Sequence, residues 1–253
     1  MKRYYTWIML AGVLAASGCG LVERGGPDGS GTIECTQVLV APQVGGRIAS
    51  LPLQEGAVVS KGDLVAQIDS RDYELRRDEA AAAARAAEAD FKRIKQVFEQ
   101  KSVTQKQLDD AQAGVDLARA RLALAEKAVA DCRVTAPMDG VVTTKSREEG
   151  EVISVGTPVV QLSRLDEVWL SVYVPESHLA RVKLGQPARV KVDGDKRFFE
   201  GLVTFISPEA EFTPRNVQTP DERAKLVYRV KITLKNPEGI FKPGMPADGY
   251  LTE

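Results

Sequence analysis

Few side chains in this sequence are of a kind that does chemistry, and their spacing narrows the choice further. The 253 residues include three cysteines and one histidine. Cys19 follows Ala16-Ser17-Gly18, small residues of the sort that precede a signal-peptide cut. Cys35 and Cys132 are an even remainder; in an oxidising compartment they can pair as a disulfide or stay as two thiols. His178 with two scattered cysteines has no recognisable metal-ligand spacing, and it reads as an exposed residue near a short helix. Asp109-Asp110 reads as a solvated acidic pair on a helix surface, and Lys61 and Lys145 as surface lysines. No phosphate-cradling glycine loop, catalytic triad or histidine metal motif occurs. The reading is of a chain that is not an enzyme and carries no cofactor and no metal.

The N-terminus sets the compartment. Lys2 and Arg3 precede an apolar run from Trp7 to Ala16, which is too short for a bilayer span. Residues 1–18 therefore read as a secretory signal. A cysteine directly after the small residues resembles a lipoprotein lipobox, so Cys19 is expected to be lipid-modified and to become the mature N-terminus. The expected location is the periplasm, with the chain held to a membrane, the inner one by preference, through lipid rather than a span. Residues 20–32 contain Gly25-Gly26-Pro27-Asp28-Gly29-Ser30-Gly31, a composition that reads as a flexible tether. A net charge of -1 and an aromatic content of 6% argue against nucleic acid as a partner.

An internal repeat organises the rest. Glu55-Gly56-Ala57-Val58-Val59-Ser60-Lys61-Gly62 returns as Glu149-Gly150-Glu151-Val152-Ile153-Ser154-Val155-Gly156. Upstream, Ala41-Pro42 with Gly46-Arg47-Ile48 matches Ala136-Pro137 with Gly140-Val141-Val142. Short β-rich runs broken by glycines predict strands with tight turns. Neither copy is long enough to bury a core alone, so two copies must pack face to face.

Between the copies the texture is helical. Residues 71–131 have no proline and one glycine, Gly114. Leu108, Ala111, Val115, Ala118, Leu122, Ala125 and Val129 recur at spacings of three and four, a heptad seam. Ala80, Ala84, Ala87, Phe91, Ile94 and Phe98 form the matching stripe. Ser102-Val103-Thr104-Gln105 breaks the pattern, and Ser102 or Thr104 can cap a second helix. The segment predicts an antiparallel hairpin with arms of about 45 Å at ~1.5 Å per residue.

After Arg164 alternation takes over, in Val168, Leu170, Val172 and Val174, in Val190 and Val192, and in Val230, Ile232 and Leu234. Turn signals at Gly185, Gly194 and Pro243-Gly244 separate the runs, and Pro175-Glu176-Ser177 opens one short helix. These features predict a small antiparallel barrel. The expected fold class is α+β multidomain: a split biotinyl/lipoyl-like β domain with an inserted helical hairpin, then a β-barrel. The expected boundaries are 1–18 signal, 19–36 anchor and tether, 37–69 first half, 70–131 hairpin, 132–164 second half and 165–253 barrel.

The repeated Glu-Gly-x-Val-x-x-x-Gly motif resembles the halves of a lipoyl domain, and the order of parts resembles the HlyD-like periplasmic adaptors, or membrane fusion proteins. Val40-Ala41-Pro42, Thr135-Ala136-Pro137-Met138-Asp139-Gly140 and Lys242-Pro243-Gly244-Met245-Pro246 fit the same family. The resemblance covers nearly all of residues 33–253. Ala210 to Arg223 resembles the barrel loop of YbhG-like adaptors, which are associated with ABC-type exporters. The chain also stops soon after its barrel, where RND-pump adaptors usually continue, and this too favours the ABC type. At the hairpin tip, Arg93, Val97 and Thr104 match an Arg-Leu-Ser pattern of adaptors that dock to TolC-like channels, with two conservative departures.

The resemblance implies a tripartite efflux or secretion system. Its partners are an inner-membrane transporter with ABC permease and ATPase, a TolC-like outer-membrane channel, and further copies of the chain in a ring. The lysine-bearing turn of enzymatic lipoyl domains is replaced by the hairpin, which argues against an acyl-carrier subunit. An RND-pump adaptor and an envelope scaffold lipoprotein without a pump are the remaining alternatives.

Overall fold

A computed structural model of the chain describes residues 26–212 and 226–251. The signal segment, Cys19 and residues 213–223 of the YbhG-like stretch lie outside the described residues. The elements run β1 (Gly29–Val40), β2 (Gly46–Ser50), β3 (Val58–Val59) and β4 (Leu64–Ile68), then α1 (Arg71–Glu99) and α2 (Gln105–Asp131). They continue as β5 (Arg133–Thr135), β6 (Gly140–Lys145), β7 (Val152–Ile153), β8 (Val160–Pro175), α3 (Glu176–Leu179) and β9 (Pro187–Val192). The last are β10 (Phe199–Ile206), β11 (Glu211–Phe212), β12 (Leu226–Lys235) and β13 (Pro246–Leu251).

The repeat builds a sandwich of two interlocked halves. One layer runs β1-β8-β6-β3 and the other β5-β4-β2-β7. The hydrogen bonds are reciprocal across the repeat. Gly56 N–H donates to Val142 O at 2.8 Å, and Gly150 N–H donates to Ile48 O at 2.9 Å. Val142 N–H returns a bond to Ala57 O at 2.9 Å, as Ile48 N–H does to Glu151 O at 2.8 Å. Each half thus satisfies the turn of the other. Gly56 and Gly150 sit at φ +86° and +92°, which is why both copies keep glycine there. Val40, Ile48, Val59, Val65 and Ile68 meet Val134, Val142, Ile153, Val159 and Leu162 in one core.

The second body is a closed six-stranded barrel in the order β1-β8-β12-β10-β9-β13, with β13 returning to β1. Alternate residues of β8, β9 and β12 fill it, including Val168, Leu170, Val172, Val190, Val230, Ile232 and Leu234, as the alternation predicts. The short helix α3 also forms where Pro175-Glu176-Ser177 suggests, and His178 on it is exposed.

Here the structure corrects the tether. Gly29 to Cys35 is not a free linker but a barrel strand, paired with β13 through Gly29↔Gly249 and with β8 through Ile33↔Leu170. A Cβ on Gly31 would lie 1.7 Å from Ser171 O. The glycines are there for close strand approach rather than for flexibility. The barrel is therefore discontinuous in sequence, and its first strand precedes the sandwich. Both β1 and β8 run through the two bodies. β1 leaves the barrel ladder at Cys35↔Val168 and joins the sandwich ladder at Gln37↔Ser163, so Arg164 to Glu167 have no partner on β1, while Glu167 still pairs with Lys235 of β12.

The same strand decides between the two cysteine readings. Cys35 lies in the barrel core and Cys132 in the sandwich core, and both are free thiols. Cys132 Sγ donates to Ala128 O at 3.3 Å. Burial raises both thiol pKa values above the ordinary range. The two segments run at different levels of the molecule, which leaves no disulfide between them.

The hairpin stands on the sandwich, entered from β4 and left through β5. Its interior is the expected seam. Ala84 and Val115 are buried, and Ala80, Ala87, Phe91, Ile94, Phe98, Leu108, Ala111, Ala118, Leu122, Ala125 and Val129 are half-buried between the arms. An Arg119–Glu88 ion pair at 2.7 Å bridges the arms and fixes their register. Arms of 29 and 27 residues project by about 40 Å at ~1.5 Å per residue. No helix among the described residues is long and apolar enough to cross a membrane.

Candidate docking site on the helical hairpin

The end of the hairpin is closed by backbone chemistry. Lys101 N–H donates to Phe98 O at 2.8 Å and Ser102 N–H to Val97 O at 3.2 Å, so the last carbonyls of α1 are satisfied. Lys101 adopts φ +59°, the one non-glycine in the left-handed region among the described residues, at a cost of about 1 kcal/mol. α2 then starts on Thr104 with a full capping box. Thr104 Oγ1 accepts from Gln107 N–H at 3.3 Å, and Gln107 Oε1 accepts from Thr104 N–H at 2.8 Å. The tip is closed by its own backbone and capping bonds.

The three tip residues singled out in the sequence occupy different places. Arg93 and Val97 are four apart on α1 and so share a face. Arg93 is 73% exposed and donates from Nη2 to Asp90 Oδ1 at 2.8 Å. Val97 is partly exposed, next to the closing turn. Thr104 stands across the turn at the foot of α2, where its hydroxyl also lies 3.0 Å from Gln107 Oε1. The fold thus joins Arg93 with Val97, while the Thr104 hydroxyl is already engaged in its own helix cap. Electrostatically the end is basic: residues 92–106 carry Lys92, Arg93, Lys95, Lys101 and Lys106 against Glu99 alone. Asp110 bonds the Lys106 ammonium and raises its pKa.

Two features escape the sequence reading. Lys101 gives no signal, because a left-handed lysine is not a propensity choice. Leu117 and Leu124 do give one: they are seven apart, two positions beyond seam residues, and are 55% and 70% exposed.

Elsewhere the chemistry is that of scaffolding. Asp69, held by Arg71 and then Arg47, keeps its carboxyl well below the usual range. It sits where β4 turns into α1 and ties the hairpin root to β2. No group of three or more metal-ligating side chains occurs among the described residues.

Comparison with known proteins agrees with this architecture. Residues 36–162, half of the chain, match the model described as RND MFP, barrel-sandwich hybrid domain, and residues 167–253 match a CusB-like β-barrel domain. A UPF0194 membrane protein of Acidithiobacillus ferridurans is 38% identical over 177 residues, spanning 69% of this chain and 52% of that protein. The UPF0194 membrane protein YbhG of Salmonella gallinarum is 29% identical over 85% of this chain and 86% of its own length. Among solved structures, a MacA-MexA chimera carrying the Pseudomonas aeruginosa MexA α-hairpin has a TM-score of 0.76. It is 24% identical, over 88% of this chain and 79% of that one. With sandwich and barrel both matched and the inserted hairpin shared with that structure, the chain belongs to the membrane fusion proteins, the periplasmic adaptor family.

Proposed function

We propose that this chain is the periplasmic adaptor of a tripartite export system, joining an ABC-type inner-membrane transporter to a TolC-like outer-membrane channel and catalysing no reaction. The observation that carries this reading is the hairpin. Its arms project by about 40 Å, touch the sandwich core at their root through Tyr73, and end in a capped, basic tip. Such an element is suited to reach. The sandwich and barrel would form rings near the inner membrane, where Cys19, lipid-modified, holds the chain, and the tips would meet the channel through Arg93, Val97 and Thr104.

The ABC type is supported by the likeness of residues 210–223 to YbhG-like adaptors and by relatives bearing that name. An RND pump is the second reading, favoured by the description of the matched sandwich model. Affinity purification of chemically cross-linked full-length protein from membranes decides between them. An ATPase and a permease recovered with an outer-membrane channel is the expected result. An RND transporter in their place selects the second reading, and recovery with neither type of transporter overturns the adaptor assignment.

A further inference from the structure

The barrel wall parts between β10 and β12. Their ladder runs from Leu202↔Thr233 to Ile206↔Val230 and stops there. Beyond the Leu202 end, Phe199, Glu200 and Gly201 still pair with β9. Leu234 and Lys235 still pair with β8. Each strand thus keeps its outer neighbour while the two diverge from one another. The register would set Glu200 opposite Lys235, yet no ion pair joins them. A cleft of about 430 Å³ occupies the gap.

Two anchors set the shape of the cleft. Buried Asn236 holds the loop that follows β12. Its Nδ2 donates to Phe241 O at 3.0 Å and to Leu165 O at 2.8 Å, and its Oδ1 accepts from Phe241 N–H at 3.0 Å. Asn236 N–H also donates to Asp166 O at 2.9 Å. The loop is thereby tied to the stretch of β8 that joins barrel and sandwich. Arg197, in the turn before β10, reaches across to Glu238 of that loop at 3.3 Å while bonding Asp195 at 3.0 Å. A buried amide with all its bonds made resists rearrangement, so the walls stand without an occupant.

Those walls are apolar and the mouth is neutral. Phe199 and Phe241 meet edge to face with ring centroids 4.8 Å apart. Leu202, Pro237 and Ile240 line the rest. Phe241 belongs to the barrel core, so the cleft opens directly onto that core. Around the mouth, Lys235 and Arg197 stand against Glu200 and Glu238. Outside these, Arg189 faces Glu200 from β9, and Asp195 bonds Arg197. The charges cancel, so neither a cation nor an anion is favoured. A concave space of this size, mostly apolar with a few polar groups at its rim, is the form that small-molecule sites take.

We infer that the cleft between β10 and β12 binds a compact, uncharged, apolar molecule of the size of a two-ring aromatic compound, seated against Phe199, Phe241 and Ile240. Aromatic walls contribute contact area at little entropic cost and prefer a flat partner. The net-neutral rim adds no charge for the ligand to answer. The site lies beside the joint between barrel and sandwich, away from the hairpin tip. Neither the transporter nor the channel enters the inference.

The test is photolabelling of the full-length protein in membranes with benzophenone, an uncharged two-ring ketone that bonds to nearby C–H groups on irradiation. Labelling should saturate, should map by mass spectrometry to the peptides carrying Leu202 and Ile240, and should fall several-fold when excess biphenyl is added. Competition is read on the unaltered chain, so it does not depend on any variant folding. Leu202 is 46% exposed, and L202W should fill the cleft and cut labelling at Ile240 several-fold with the melting temperature unchanged. K235E and E200K should leave labelling as it was. Labelling that rises in proportion to benzophenone without saturating, or that scatters over the surface, would overturn the site. So would an L202W protein that melts like the parent and still labels fully. Competition by benzoate or benzylamine in place of biphenyl, with loss of labelling in K235E or E200K, would overturn the uncharged class of ligand.

Discussion

Arg93→Asp separates docking from folding, because the structure says how little the substitution should cost the hairpin. Arg93 and its partner Asp90 are 73% and 53% exposed, and an exposed pair at this helical spacing contributes about 0.3–0.5 kcal/mol. Aspartate at 93 removes that pair and sets a like charge against Asp90, which costs a similar amount. The total is about 1 kcal/mol at most. The seam below stays intact, so helicity and melting temperature should barely move. Val115→Asp is the contrast. Val115 is one of two fully buried hairpin residues, and an unpaired carboxylate there should cost about 3–5 kcal/mol and melt the arms. The assay is growth on a compound to which a strain lacking this chain is hypersensitive, read alongside circular dichroism. Arg93→Asp should abolish protection with the helices intact, and Val115→Asp should lose both. Full protection by Arg93→Asp, or loss that tracks unfolding, refutes a docking role for Arg93.

Three further outcomes follow from particular contacts. Gly31→Ala forces a Cβ to within 1.7 Å of Ser171 O; it should destabilise the barrel by several kcal/mol in a urea titration, about 3 or more, whereas a substitution in a mere tether would do nothing. Cys35 and Cys132 should both react with a thiol reagent in unfolded, unreduced protein and resist it in the native state, since each lies in a core; one or no reactive thiol after unfolding would mean a bond absent from this structure. Cys19→Ser should leave the protein uncleaved or free of the membrane; processed and membrane-bound Cys19→Ser protein would remove the lipid anchor.

What could be read in the sequence was whatever repeats with a fixed period. The seam from Ala80 to Phe98 and from Leu108 to Val129 lies between the arms because spacings of three and four leave one side of each helix apolar. Val168 to Val174 line the barrel because alternation puts one strand face inside. The tip cap at Thr104 was legible as a pause in helix formers. Composition misled where glycine has two uses. Gly29 and Gly31 read as slack, but they are close-approach positions between β1 and β8. That one strand also explains the cysteines, because Cys35 ends the barrel stretch of β1 while Cys132 lies in the sandwich core. Arg93 and Thr104 matched a short pattern, and the fold adds that Arg93 is paired with Asp90 and that the Thr104 hydroxyl is taken up by its own helix cap. Leu117 and Leu124 carried their own period, masked by the stronger seam beside it.

Replacing residues 73–129 with a short Gly/Ser loop tests the central claim most directly. The sandwich halves hold each other through Gly56, Val142, Gly150 and Ile48, and the barrel has its own core, so the shortened chain should fold and still reach the membrane. In cells lacking the full chain, with the hypersensitivity compound as readout, it should restore no export and should recover no outer-membrane channel on cross-linking. Export restored by the hairpinless chain would contradict the claim that the hairpin spans to the channel.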